Sequence, residues 1–437
     1  MTPLGTDFAR RYWSHLGSDP GALEDLTLLR ELSDGDEALR SATGAPLLTR
    51  PLFLSASERD ALVADLAALQ EMLRSIPERL YQGDVAAMCA ELGFSPIQAM
   101  LVEETATDED VLTSRADLMR GASGFSCIEF NLHSSLGGLD AGPWHAAYAR
   151  LPTLGAFLAR EGLAYVDPLD RVVAAVAEAA RRRGYAEPAV AVVDWPGAPA
   201  SQQRRVARLA ALMRARGLDA FAGDAGQFSS RRDRLVCGGR EVDVLYRIFD
   251  IGEVATDPRP IVPMLRAHRA GQLVLAMSFV AELVGNKGAL AMLSTPRDPA
   301  SFTADERALI DRVLPSTRWV GTDPRADLAE REHLVLKPVN GHSGRGVVTG
   351  ADVGESEWSA ALASAASEPH VLQRRVHPRP EYLPGSDGQP QPFEVNWGVF
   401  LVGTEFSGAM IRAVPFGRHA LTTTSVGALI GGCYVGP

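Results

Sequence analysis

At about 150 residues per domain, a chain of 437 residues has room for two or three domains and a sizeable core. Its 46% apolar and 22% charged residues exclude wholesale disorder, collagen and coiled coil. With 43 Lys and Arg against 54 Asp and Glu, the net charge of −11 argues against a protein whose task is to coat nucleic acid or an anionic membrane.

The first residues, MTPLGTDFARRYW, lack the apolar core of a signal peptide, and no run approaches the roughly 18 apolar residues of a membrane helix. A cytoplasmic protein is expected. Cys89, Cys127, Cys237 and Cys433 are far apart and form no C-x-x-C pair, so they read as buried thiols rather than disulfides or zinc ligands. The nine histidines show no H-E-x-x-H or similar spacing, which leaves a transition-metal site without support.

In chain order, residues 55–105 read as helical. Leu62, Leu66, Leu69, Leu73 and Leu80 lie on a 3.6-residue stripe, with Ser57 and Asp60 as the expected N-terminal cap. Alternating runs over 112–131, parted by a turn at Arg120–Gly124, predict a β-hairpin. Residues 169–183 predict a second helix, ending in Arg181–Arg183 before Gly184.

The apolar run from Ala189, the loop Asp194–Gly197 and a helix capped by Ser201 and ending near Gly217 predict strand, crossover and parallel strand. That Rossmann-like unit has no G-x-G-x-x-G, which removes NAD and FAD. Strands at 233–237 and 241–247 flank Gly238–Gly239, Thr303 and Glu306 form a capping box, and 378–392 reads as an exposed loop.

Among the basic residues only Lys287 and Lys337 are lysines, and the other 41 are arginines. An ammonium retained against that bias is a candidate for point-charge phosphate binding. Chance survival is the plain alternative. Lys337 ends the apolar run His333–Lys337 and precedes a glycine-rich loop, Gly341–Gly346, whose backbone N–H groups can close on a phosphate chain. A Walker A loop places its lysine after the glycines, so this is not one. Lys287 opens a helical stretch and equally reads as a surface residue.

Arg115 and Asp117, then Glu129 and Asn131, are each two residues apart on neighbouring strands, so all four side chains share one face of the hairpin. Two carboxylates and an amide oxygen suit magnesium, and Arg115 suits a phosphate oxygen, with Ile128 and Phe130 expected to anchor the opposite face. An exposed hairpin with an ordinary ion pair is the structural alternative. Val371–Val376 reads as a strand that offers a backbone hinge to an adenine, or simply as a strand. Arg412 and the run Thr422–Ser425 read as an anion contact and a covering loop.

In this order the pieces resemble the circularly permuted ATP-grasp family, which includes glutathionylspermidine-synthase-like and peptide-ligase-like carboxylate–amine ligases. The similarity rests on metal motif before lysines and on YRIFDIG, GNKGALAML, LPSTRWV, VLKPVNGHSGRGV and VLQRRV, over roughly residues 112–430. It implies an α/β (α+β) ATP-grasp fold, circularly permuted. The implied parts are a helical N-terminal region (1–110), the metal-ligand part of the ATP-grasp domain (111–185), a Rossmann-like pre-ATP-grasp substrate domain (186–285) and the nucleotide-binding subdomains (286–437).

It also implies roles. Asp117, Glu129 and Asn131 would hold Mg²⁺, and Arg115 and Arg412 would act on the transferring phosphoryl group. Lys287, Lys337, Gly341, Ser343, Gly344, Gly346 and Gln373 would bind ATP. The implied function is amide or peptide-bond formation between a small-molecule carboxylate and an amine, an amino acid or peptide among them, with ADP and phosphate released. No nucleic acid or membrane partner is expected, and a homodimer is compatible with the sequence. A phosphotransferase and a nucleotide-binding regulatory protein on the same scaffold are the alternatives. Arg247 is a candidate carboxylate anchor or a structural ion pair.

Overall fold

The computed structural model describes residues 6–17, 21–35, 39, 45–106, 111–133, 135–321, 324–341, 344–365, 367–385, 387–417 and 427–437. Strand β1 is Leu52–Leu54, β2 Thr113–Gly121, β3 Gly124–Leu132, β4 Ala189–Asp194, β5 Asp219–Asp224, β6 Phe228–Arg231, β7 Arg234–Cys237, β8 Arg240–Val242 and β9 Val244–Arg247. The series continues with β10 Val274–Leu275, β11 Thr317–Trp319, β12 Leu334–Pro338, β13 Val348–Thr349, β14 His370–Arg374, β15 Glu381–Pro384, β16 Pro390–Val402, β17 Glu405–Pro415 and β18 Leu429–Val435.

The hairpin predicted near residue 120 forms as β2 and β3, and its partners come from the far end of the chain. The main sheet runs β1-β18-β17-β16-β2-β3, with β15 also on β16. All of these pairs are antiparallel except β1 on β18. Alternation along the strands, broken once in β3, sends Leu118, Phe130 and Trp397 into one apolar core and Phe400 and Ile430 into another, which also holds Trp144 and Tyr148.

Residues 55–105 form three helices, Ala56–Tyr81, Val85–Glu91 and Pro96–Thr105. The first is capped two residues earlier than expected. Ser55 accepts from the Glu58 N–H while Glu58 accepts from the Ser55 N–H, a complete capping box that leaves Ser57 and Asp60 inside the helix. Leu62, Leu66, Leu69 and Leu73 are buried against the main sheet's core, as the stripe predicts. Immediately before these helices lies β1, which no pattern in the sequence announces.

Parallel strands β10-β9-β4-β5 form the Rossmann-like sheet. The crossover helix is Ala200–Arg214, packed through Val206, Leu209, Ala210 and Met213. Pro199 precedes it with no side-chain cap, so Ser201 does not cap it: proline's fixed φ starts the helix instead. Gly238 and Gly239, at φ 58° and 86°, turn β7 into β8, as glycines with positive φ allow. The segment 378–392 is not wholly loop. It contains β15 and the start of β16, an edge hairpin in which Pro384 faces Pro390.

The third sheet, β11-β14-β12-β13, positions the lysine. Leu334, Leu336 and Leu372 face Trp358 of helix Glu355–Ser364. The other face carries Thr317, Lys337, Val371 and Gln373, and Val371 packs into the core beside the hairpin. Among the described residues no helix is long and apolar enough to cross a membrane.

Candidate nucleotide and metal site

Register places the hairpin residues as the spacing predicts: Arg115 lies opposite Asn131 and Asp117 opposite Glu129. The Arg115 guanidinium donates to both Asp117 oxygens, Nε at 2.8 Å and Nη2 at 3.1 Å, and its Nη1 donates to the Gly137 carbonyl. Arg412 on β17 donates from Nη2 to Asp117 Oδ2 at 2.6 Å and to Asn396 Oδ1 at 2.7 Å. Burial alone would raise the Asp117 carboxyl. The two guanidiniums outweigh it and pull the group down to about 2.

Two residues that sequence reasoning missed serve this patch. Asn396 completes the Arg412 contact, and at Gly398 a Cβ would stand 2.9 Å from Arg115 Cδ, so glycine makes room for that side chain. Their signal was available in the alternation of Glu394, Asn396 and Gly398 with Val395, Trp397 and Val399.

Between Asp117 and Leu118 the ladder slips: Leu118 pairs with Cys127, which leaves Ile128 as the extra residue of a β-bulge. Ile128 is half-buried rather than the core anchor expected of it; Phe130 is buried as predicted. The bulge turns the Ile128 carbonyl to Lys337, whose Nζ donates to it at 3.0 Å and to Gln373 Oε1 at 2.7 Å. Lys287, first residue of helix Lys287–Ser294, donates to Glu129 Oε1 at 2.8 Å and to the Gly341 carbonyl at 2.6 Å. Both lysines therefore converge on β3.

The charges are mutually adjusted. Burial would raise Glu129, yet Lys287, with help from Lys337, holds its carboxyl below the usual range against the opposing charge of Asp117. Burial lowers Lys337 to about 8, with Glu129 pulling upward and Lys287 adding to the fall.

A cavity of about 180 Å³ adjoins these groups, lined by Gln98, Glu129, Asn131, Lys287 and Asn340 among others. Asn286 caps the helix of Lys287 and donates to Asn340, which in turn donates to the Leu92 carbonyl. Gly341 borders the cavity, whereas Gly344 and Gly346 follow beyond it at φ 74° and 73°. Ser343 and the run Thr422–Ser425 lie outside the described residues.

Arg247 is no substrate anchor. Its guanidinium is fully buried, donates to the carbonyls of Met277, Phe249 and Ser278, pairs with Glu282 and lies over the Phe279 ring, so its donors are spent on structure.

The donor set fits a hard cation. Asp117, Glu129 and Asn131 share one face: Glu129 and Asn131 line the cavity, with the Asn131 amide nitrogen donating to the Arg115 carbonyl so that its oxygen is left to accept, while both Asp117 oxygens already accept from Arg115 and Arg412. Among the described residues no group of three or more His, Cys, Asp or Glu is placed to hold a metal ion.

No family model matches the sequence. Over 206 residues the chain is 29% identical to a provisionally named glutamate–cysteine ligase of Frankia alni, covering 43% of this chain and 23% of that protein. Over 141 residues it is 30% identical to an uncharacterised protein of Mycobacterium leprae, covering 30% of this chain and 24% of that one. The matches thus span about a quarter of the length of these relatives. Among solved structures, a glutathione synthetase-like effector of Globodera pallida in its apo form superposes with a TM-score of 0.59 at 13% identity, covering 95% of this chain and 98% of that one. The chain therefore shares the mixed α/β fold of that glutathione synthetase-like protein.

Proposed function

We propose that this protein is an ATP- and magnesium-dependent carboxylate–amine ligase, which forms an amide or peptide bond through an acyl phosphate. One observation carries the reading. The chain's only two lysines, 50 residues apart on a helix and on a separate sheet, both reach the hairpin strand that bears Glu129 and Asn131. The local likeness to a protein named as a glutamate–cysteine ligase supports the same class.

Lys287 and Lys337 bind the phosphates, and Lys287 exchanges its contact with Glu129 or the Gly341 carbonyl for a phosphate oxygen. Arg115 and Arg412, fixed by Asp117, set positive charge where the γ-phosphoryl group develops negative charge in transfer. Asp117, Glu129 and Asn131 would hold magnesium, which when bound would neutralise phosphate charge. A substrate carboxylate oxygen attacks the γ-phosphorus as the bond to ADP breaks. An amine nitrogen then attacks the acyl carbon, phosphate leaves, and the nitrogen gives up a proton. Water must be kept from the acyl phosphate, a task for the glycine loop after Lys337.

The test is ADP release over a matrix of small carboxylates and amines, amino acids and short peptides included, with mass detection of the condensed product. Amine-dependent ADP release with a new amide is expected. ATP consumption that yields only a phosphorylated carboxylate would favour a phosphotransferase, and ATP affinity without turnover a regulatory protein; either overturns the ligase.

A further inference from the structure

Gln373 lies on the strand expected to face the adenine, yet its side chain is committed elsewhere. Its Oε1 accepts from Lys337 Nζ at 2.7 Å, and its Nε2 donates to Thr317 Oγ1 at 3.1 Å. The Thr317 hydroxyl donates to the Pro315 carbonyl at 2.7 Å, and the Thr317 N–H donates to Ser294 Oγ at 2.9 Å. Gln373 is 3% exposed, Thr317 1% and Lys337 8%. The amide cannot turn to a ligand without leaving buried donors and acceptors unmatched. The neighbouring backbone is spent as well, with the Arg374 N–H on the Ser316 carbonyl and the Arg375 N–H on the His333 carbonyl.

Register explains how the three groups meet. Thr317 lies directly opposite Gln373 across β11 and β14, and Lys337 lies two residues further along the same face of β12. Of the three N–H groups of Lys337, one goes to the Ile128 carbonyl and one to Gln373, which fixes the direction of the third. The network ends on Ser294, last residue of the helix that Lys287 begins, so it also ties the two lysine-bearing elements together.

We infer that Gln373 and Thr317 are positioning residues for Lys337, aiming its ammonium at the phosphate chain, and that the Gln373 side chain does not contact the base. The inference rests on the nucleotide reading above and deepens it. A base contact would act on every adenine nucleotide; a positioning role acts only through Lys337 and only on phosphates.

The experiment compares binding of ATP, AMP and inorganic tripolyphosphate by calorimetry. Gln373→Met, of similar length without the accepting oxygen, is expected to weaken ATP and tripolyphosphate about tenfold, or about 1.4 kcal/mol, and to leave AMP unchanged. In a Lys337→Ala background the same change should add less than about twofold, since residues acting as one unit are not additive. Gln373→Glu, which keeps an oxygen against the ammonium, should bind ATP more tightly than Gln373→Met. Thr317→Val should weaken ATP in the same direction by about threefold, a smaller buried change that guards against misfolding of the first variant.

Additive losses in the double variant, or equal losses for AMP, would overturn the positioning role while leaving the nucleotide site standing. A wild-type protein that binds neither ATP nor tripolyphosphate would overturn the site and this inference together.

Discussion

Lys337 is placed where burial opposes its charge, and that fixes how nucleotide binding responds to pH. With its ammonium brought down to about 8, the folded protein holds a neutral amine above that pH, which no longer attracts phosphate. ATP affinity is therefore expected to be full near neutrality and to fall as pH rises through 8; calorimetric titrations between about pH 6 and about pH 9.5 check it, and a flat profile contradicts it. Stability moves the other way. The unfolded chain keeps this proton up to its ordinary value of 10.5, so the unfolded state binds more protons between 8 and 10.5, and the cost of burying the ammonium is relieved as pH rises through that window.

Glu129 gives the second prediction at this scale. Glu129→Gln keeps the shape but removes the charge that Lys287 meets, along with one oxygen charge proposed to hold magnesium. Lys287 is only 9% exposed and loses its counter-charge, so the melting temperature should fall modestly with the fold retained. Turnover should fall at least about a hundredfold, the size typical of losing one charge-stabilising group. Unchanged turnover with the best substrate pair would remove Glu129 from the chemistry. The two lysines and the hairpin carboxylates were legible because lysine is scarce here and the strand period is two. The commitment of Gln373 was not, since it depends on three strands meeting in a register no single segment encodes.

Elements show where local pattern suffices and where it stops. The segment Ser55–Asp60 contains two overlapping cap patterns, two residues apart, and only Ser55 with Glu58 has the glutamate that closes a reciprocal box. The edge hairpin β15–β16 was read as loop because its prolines and polar residues are those an edge strand tolerates. Nothing in the run SCIEFN announces that Ile128 is the unpaired residue of a bulge, because bulges are set by the partner strand. Deleting Ile128 is therefore informative. Leu118 would keep Cys127 and Asp117 would keep Glu129, so the ladder closes without moving any side chain to the other face. Lys337 would lose one of its two acceptors. The expected outcome is a folded hairpin with weakened ATP binding, read by circular dichroism and calorimetry; unimpaired ATP affinity would show that the bulge has no part in aiming the lysine.

For the whole molecule, chain order and spatial order differ, and this governs what can be cut away. The site takes residues from 115–131, 286–287, 337–341, 373, 396 and 412, while β2 pairs with β16 and β1 with β18. The N-terminal region, which carries none of the chemical motifs, closes the edge at β18 with β1 and covers the sheet with Leu66, Leu69, Leu73, Ile76 and Met88, all fully buried. At roughly 2 kcal/mol per buried side chain these five contribute on the order of 10 kcal/mol, comparable with the entire net stability of a domain. Leu92 adds the carbonyl that holds Asn340 beside the glycine-rich loop. A fragment of residues 111–437 would expose that apolar face and an unpaired strand edge, so it should aggregate or melt without a cooperative transition even though every proposed catalytic and ligand-binding residue is retained. Scanning calorimetry with ATP titration decides the matter: a soluble fragment with a sharp transition and wild-type ATP affinity would show that the N-terminal helices are an accessory to the fold rather than one of its walls.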